Sequence, residues 1–426
     1  MYPLGKYMRK EICFIFLLGG GLLFDWRSAL VILTLVGAIG LRFVPSLRTY
    51  QFTAWVIAVV TAALIYPAHF LHVDGFDMRN KWVMLVAIQM VMFGMGTQMS
   101  LHDFAGVAKN PRGVLVGILC HFSVMPLVGF ALTKIFKFPP EIGAGVILIG
   151  SCSSGLASNV MAYIARSNLA LSVTVTAVTT MLAPFLTPLW MKLLAGTMVE
   201  VSFVKMMIEI VKIMIVPIGA ALLHDYLKRA SGRGWRVVLV VTALALGWLG
   251  FLALGGWDWL SGQMGEGALS VVGLSGFLLS AVVIGTSYHA LTRRLAWLDR
   301  IMPTLAIVGI LYVTAMTTAA GRDNLFKVGV CLVIASGLHN MAGFFFGYFL
   351  SRGVGLDKNS ARSVAFEVGL QNGGMASGLA SAMGKLATVG LAPAIFIVWM
   401  NVSGSILANY WRKRPVEGTE AEVGCR

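Results

Sequence analysis

Charge is what this sequence has least of. Charged residues make up 12% of its 426 positions, with 18 Asp and Glu against 33 Lys and Arg. A chain so poor in charge and 58% hydrophobic cannot wet a soluble surface, and a mean hydropathy of +0.83 marks a polytopic membrane protein. Cysteine is also scarce. Cys13, Cys120, Cys152, Cys331 and Cys425 include no CxxC pair, which excludes a disulfide framework and a zinc site. Neither HExxH nor GxSxG occurs, so an intramembrane enzyme would have to be built from unmarked residues such as His121 and Cys152. The chain therefore reads as no enzyme. No small-residue cleavage site precedes Asp25-Trp26-Arg27, so the apolar run at the start reads as a retained span rather than a cleaved signal.

What is present is a succession of apolar runs. We count fourteen between residues 11 and 411, all expected as helices; the first two, 11–24 and 28–41, are short enough to form one re-entrant hairpin. With both termini on the cytoplasmic side of an inner membrane, most Lys and Arg fall on cytoplasmic connections, the strongest being Lys228, Arg229, Arg233 and Arg236. The net charge of +15 then reports membrane orientation, and no nucleic-acid partner is implied. Lys205, Glu209 and Lys212 share one face of a span, either on an ion path or as an interfacial set that pairs with itself.

Two stretches interrupt this pattern. Gly150-Ser-Cys-Ser-Ser-Gly-Leu-Ala-Ser-Asn159 and Glu367-Val-Gly-Leu-Gln-Asn-Gly-Gly-Met-Ala-Ser377 put glycine, hydroxyls and amides at membrane depth. Such composition loosens a helix, and the freed backbone is tolerated only against protein or a water-filled cavity. The stretches also resemble each other. Gly155-Leu-Ala-Ser158 recurs as Gly374-Met-Ala-Ser377, and His121 with Gly129 recurs as His339 with Gly347. Broken helices at corresponding places in two halves point to a secondary transporter's binding site. We expect Ser154–Asn159 and Gln371–Met375 to be non-helical and to cross.

A hard cation such as sodium takes oxygen ligands. Ser158, Asn159, Ser172, Thr176, Glu367, Gln371 and Asn372 offer carboxylate, amide and hydroxyl oxygens from three spans, with Ser172 and Thr176 on one helical face. Glu367 is the acidic residue deepest in a predicted span, where a cation would offset its burial.

Together, Gly-Leu-Ala-Ser158-Asn159-Val, Ala-Leu-Ser172-Val-Thr-Val-Thr176, Leu-His339-Asn340, Glu367-Val-Gly-Leu-Gln371-Asn372 and Trp-Met-Asn401-Val-Ser-Gly-Ser405 resemble the bile acid:sodium symporter family, over about residues 52 to 411. The resemblance implies an all-α inverted-repeat secondary transporter with two crossed broken helices. A ten-helix family core would carry two extra pairs, about fourteen transmembrane segments in all. Residues 1–50 would form the extra N-terminal hairpin and 237–290 the inserted pair. Panel helices would occupy 52–98, 204–224 and 302–320; core halves would occupy 113–195, broken near 154–159, and 325–411, broken near 371–375. A cytoplasmic tail, 412–426, would follow.

By the same resemblance, Na+ is the coupling ion. One sodium site takes Ser158, Asn159, Ser172, Thr176 and Glu367. A second takes Glu367, Gln371 and the backbone oxygens of Val368 and Leu370, with His121 standing where the family has a glutamine. A histidine there would let protons compete with sodium. The substrate cavity would be met by Leu156, Asn372, Met400 and Asn401, with Leu156 and Met400 replacing a threonine and a histidine of the family. The expected function is sodium-coupled symport of a small organic anion, of bile-acid or small carboxylate type. A proton-coupled or facilitative transporter of the same fold is the alternative, and a non-transporting receptor another. Besides substrate and bilayer no partner is implied, and nothing in the sequence speaks to oligomeric state.

Overall fold

The computed structural model describes residues 25–44, 47 and 50–416, and is helical throughout apart from a two-stranded hairpin, His72–Val73 with Phe76–Asp77. Fifteen helices carry the argument. They are α1 (Trp26–Gly40), α2 (Gln51–Ile65), α3 (Lys81–Gly96), α4 (Pro111–Ile135), α5 (Pro140–Ser151), α6 (Leu156–Ile164) and α7 (Leu169–Trp190). Next come α8 (Phe203–Arg229), α9 (Gly232–Phe251), α10 (Glu266–Arg294), α11 (Trp297–Ala320) and α12 (Arg322–Gly353). The last are α13 (Lys358–Gly369), α14 (Gly373–Ala382) and α15 (Leu391–Arg412).

Seven of these helices start at an amide, hydroxyl or carboxylate cap. Asn110 accepts from the Gly113 amide ahead of Pro111, Asn168 from Leu171, Asp357 from Asn359 and Ser360, and Asn372 from Met375. Among the described residues nine helices are long and apolar enough to cross a membrane, or ten if α3 and the bent segment Leu101–Lys109 count as one. The expected fourteen spans are not reproduced as unbroken helices. The run at 52–71 divides into α2 and Pro67–Leu71, and the runs at 142–165 and 361–384 divide into α5/α6 and α13/α14. The run at 11–24 lies outside the described residues.

Contacts sort the helices into two groups. One packs α4, α5, α6, α7, α12, α13 and α15 together; in the other α3 lies against α8 and α11, and α2 against α11. Helix α14 bridges them, touching α3, α11 and α15. Helix α10 joins the second group along α8, and α9 packs on α10; α1 packs on α2. The face of α9 and α10 is largely uncovered by protein, as expected of helices bordered by lipid. Lys212 pairs with Glu209 at 3.2 Å and sits over the Phe277 ring of α10, so this face of α8 pairs with itself.

The attachment of α10 is polar at one end. Asp299 of α11 accepts from Lys228 at 2.9 Å and from the Tyr288 hydroxyl at 3.0 Å, and faces His224 at 3.2 Å, while His224 meets His289 Nδ1 to Nδ1 at 3.3 Å. One carboxylate thus anchors α8 and α10 to α11. Asp299→Ala removes the common acceptor from a half-buried network, and should lower stability by about 1–3 kcal/mol. Thermal unfolding in detergent, with Asp225→Ala as the nearby comparison, measures this; an equal melting point for wild type and Asp299→Ala would exclude the anchor.

Candidate functional site

Both helix breaks exist and they meet. Ser154 and Gln371 form an isolated antiparallel bridge, in which the Gly155 amide donates to Leu370 O at 3.1 Å and the Asn372 amide to Ser153 O at 2.8 Å. The breaks are shorter and earlier than the sequence suggests, spanning 152–155 and 370–372, and Leu156–Asn159 and Gly373–Met375 are already helical. The reason is local. A crossing needs only a few extended residues, and the small polar residues beyond them serve as first-turn and cap positions.

A break at membrane depth must account for each freed carbonyl. Ser151 O accepts from the Thr187 hydroxyl at 2.7 Å, Gly369 O from the Asn340 amide at 2.7 Å, and Val368 O from the Gln371 side chain at 2.7 Å. Leu370 O accepts from Gly155 and also from the Ser154 hydroxyl at 3.3 Å. His121 lies between two further carbonyls, those of Cys152 and Glu367. Its Nε2 is 2.8 Å from Cys152 O and its Nδ1 is 2.9 Å from Glu367 O.

This is where the structure places His121. The ring meets the backbone of Glu367, not its carboxylate, and sits between carbonyls of the two broken helices; a neutral imidazole has one N–H and donates to one of them, and only the protonated ring donates to both. The remaining residues expected around a second ion are together, yet Val368 O and Leu370 O already have donors, and only Gln371 Oε1 is buried without a partner. His121→Ala would remove the donor that the ring offers to these carbonyls. We expect it to lower stability by about 2–4 kcal/mol, measured as the shift in thermal unfolding, whereas His121→Gln, which keeps a donor, should lose less. Equal losses in the two variants would mean that the ring contributes only its volume.

The Glu367 carboxylate, fully buried, faces the other side. Its Oε1 accepts from the Ser172 hydroxyl and its Oε2 from Thr176 at 2.8 Å. The same two hydroxyls lie 2.9 and 3.2 Å from Asn159 Oδ1, and Ser158 Oγ is 3.3 Å from Thr176 Oγ1. Ser158, Asn159, Ser172, Thr176 and Glu367 are therefore one cluster. The hydroxyls of Ser172 and Thr176 each carry one proton and face two acceptors, so oxygen lone pairs outnumber protons. A group of this kind is completed by a cation that prefers hard oxygens. Ser154, 3.2 Å from Ser158, belongs to the same cluster, and Thr187 and Asn340 to its support. Sequence reasoning had passed over all three as site residues; Ser154 stood in the singled-out stretch, and Asn340 in a motif, but nothing marked their partners.

Beside the crossing lies a cavity of about 340 Å³. Leu156, Asn372, Met400 and Asn401 all line it, together with Gln371 and the glycines at the starts of α6 and α14. Its wall is mostly apolar, with Met92, Met95, Met161 and Met400, and no Lys, Arg, Asp or Glu among its described lining residues. Thr53, Gln98, Asn401 and Ser405 supply polar atoms. Part of the wall lies toward the basic connections, since Thr53 follows Arg48, Gln98 precedes Lys109 and Pro303 follows Arg300.

Residues 85–257 match the family model described as the sodium bile acid symporter family. The chain is 29% identical over 375 residues to the uncharacterized sodium-dependent transporter YocS of Bacillus subtilis, covering 88% of this chain and 94% of that protein. It is 29% identical over 365 residues to the probable sodium/metabolite cotransporter BASS1, chloroplastic, of Oryza sativa subsp. japonica, covering 85% and 73%. Against the human ileal sodium/bile acid cotransporter it is 29% identical over 296 residues, covering 68% and 66%. Among solved structures it is similar to the sodium proton antiporter MjNhaP1 from Methanocaldococcus jannaschii, with a TM-score of 0.52 and 11% identity over 91% of this chain and 98% of that one, a likeness of fold alone. With a multi-pass helical fold, two breaks that meet, and a likeness that runs through nearly all of its bacterial relative, the chain is similar to the sodium bile acid symporter family, whose model matches residues 85–257.

Proposed function

We propose that the protein is a sodium-coupled symporter of small organic anions, working by alternating access. The observation that carries this is the oxygen cluster of Glu367, Asn159, Ser172, Thr176 and Ser158, placed against the crossing whose other side lines the cavity. A sodium ion there would be held by carboxylate, amide and hydroxyl oxygens from α6, α7 and α13. It would tie the two broken helices together and so shape the starts of α6 and α14, where the cavity begins. Coupling is energetically sufficient, since each inward charge gains about 2.3 kcal/mol per 100 mV.

The cavity argues for a substrate with an apolar body and a small polar group, either a bile-acid type or a shorter carboxylate. The amino ends of α6 and α14 and the amides of Asn372 and Asn401 are where a carboxylate would be received, without a basic side chain. In this reading α4–α7 and α12–α15 form a core of two inverted halves, and α2, α3, α8 and α11 a panel that moves against it. Helix α1 and the α9–α10 pair are additions to that core, and the expected partner of α1 lies outside the described residues. The basic connections face the cytoplasm of a cell with this protein in its inner membrane, so the cavity is open inward.

Uptake of labelled bile acid and of short 2-oxo acids into proteoliposomes, with and without an inward sodium gradient, tests the proposal. Sodium-stimulated, potential-dependent accumulation of at least one of these solutes is expected. Accumulation that follows a proton gradient and ignores sodium would replace this reading with proton coupling.

A further inference from the structure

Two buried hydroxyls have no partner and share a void. Thr314 on α11 and Ser377 on α14 are, respectively, wholly and almost wholly buried, and neither hydroxyl makes a hydrogen bond, not even to its own helix. Both line a void of about 10 Å³ between α3 and α11 on one side and α14 and α15 on the other. The void shares Val91, Ile310, Gly374 and Ile397 with the large cavity, on the side away from the basic connections. It continues the cavity beyond the crossing, and it is narrow, with both hydroxyls buried.

Glycine makes it narrow. A Cβ at Gly378 would stand 2.9 Å from Ile88 Cγ2 and 3.2 Å from Ile213 Cδ1; one at Gly374 would stand 3.0 Å from Met92 Cε and 3.3 Å from Val91 Cγ1. Glycines four apart on α14 let it lie flat against α3 and α8, as small residues do between membrane helices. A polar pair sealed without partners under such a surface is costly in the closed state and relieved when the surfaces part. The geometry holds two features that an interface meant to stay shut would not combine.

We propose that Thr314 and Ser377 line the second mouth of the substrate path, opposite the open cavity. When α14 leaves α3 and α11, the two hydroxyls become a hydrogen-bonding station for an incoming carboxylate, and the contact through Gly374 and Gly378 is the seal that closes behind it. This rests on the alternating-access reading above and adds to it the residues of the closed mouth and the polar chemistry waiting there. Ser377 is also the repeat mate of Ser158, so one motif would serve the ion in one half and the solute's route in the other.

The test is side-specific thiol labelling. In a parent with Cys13, Cys331 and Cys425 replaced by Ala, Ser377→Cys is exposed to a membrane-impermeant, positively charged methanethiosulfonate on right-side-out and on inside-out membranes. Reaction is expected from the face away from the basic connections and not from the other. Adding Gly378→Leu, which wedges the seal, should raise the rate at least tenfold. Should Ser377→Cys fail to insert, Thr314→Cys provides the same readout.

Reaction only from the basic face, no reaction from either face, or a rate unmoved by Gly378→Leu would overturn the proposal. Labelling needs neither sodium nor solute. A wild type without sodium-stimulated uptake but with side-specific labelling would therefore defeat the symport reading and keep the second mouth, while normal uptake with an inert Ser377→Cys would do the reverse.

Discussion

Glu367→Gln is expected to abolish sodium-stimulated uptake while the protein still inserts and folds. The amide has the size of the carboxylate, and its neighbours can adapt. Ser172 and Thr176 already lie within reach of Asn159 Oδ1, so the one that faces the new NH2 group can turn its proton there and accept from it, while the other still donates to the amide oxygen. The folded state should lose no more than about 1 kcal/mol. The ion loses far more. At contact distance a full negative charge is worth several kcal/mol to a cation even at an effective dielectric near 20, so sodium affinity should fall by at least about 100-fold. A sodium titration of uptake, run beside thermal unfolding of the same preparation, separates binding from folding. Sodium activation at wild-type concentrations would remove Glu367 from the ion site.

Gly155→Ala should be nearly as damaging, for a reason outside its own backbone. Gly155 has φ −101° and ψ 156°, an extended conformation open to any residue, so no strain arises within the chain. Across the crossing, however, a Cβ would stand 2.8 Å from Gln371 O, 3.2 Å from its carbonyl carbon and 3.5 Å from Asn372 Cα. These are backbone atoms, held by the Gly155–Leu370 and Asn372–Ser153 hydrogen bonds, and they cannot rotate away as a side chain would. The two strands must part by some tenths of an ångström, which displaces the Glu367 cluster on one side and the cavity wall on the other. Overpacking of this kind costs about 1–3 kcal/mol. Uptake by Gly155→Ala should drop about tenfold, and Gly155→Val should show none, while Gly219→Ala, with nothing within 4 Å of the added carbon, should behave as wild type. Normal uptake by Gly155→Val would mean that the crossing tolerates separation.

Much of the cluster could be anticipated because its residues are chemically out of place. A carboxylate at Glu367 and amides at Asn159 and Gln371 stand out in apolar spans, and Ser172 with Thr176 share a helical face by spacing alone. His121 stands out for the same reason, but its spacing does not reveal that its ring nitrogens lie against Cys152 O and Glu367 O, 31 and 246 residues away in sequence. Thr187 and Asn340 went unnoticed as site residues because a threonine or an asparagine in a membrane span says nothing about which distant carbonyl it reaches.

By itself, then, the sequence determined the quantities that depend on neighbours along the chain: which runs are apolar enough to be helices, and that the stretches around Gly155 and Gly374 cannot be continuous helix. These follow from composition and the cost of loose backbone in a membrane. The tertiary structure decided who answers each freed carbonyl, and what each copy of the repeated motif faces. Gly155-Leu-Ala-Ser158 and Gly374-Met-Ala-Ser377 are near twins in sequence. Ser158 nevertheless meets Ser154 and Thr176, and Ser377 a sealed void against α11, because packing brings α6 against α7 and α14 against α3 and α11. Hydrogen-bond satisfaction at depth is settled between helices, and no spacing within one helix encodes it.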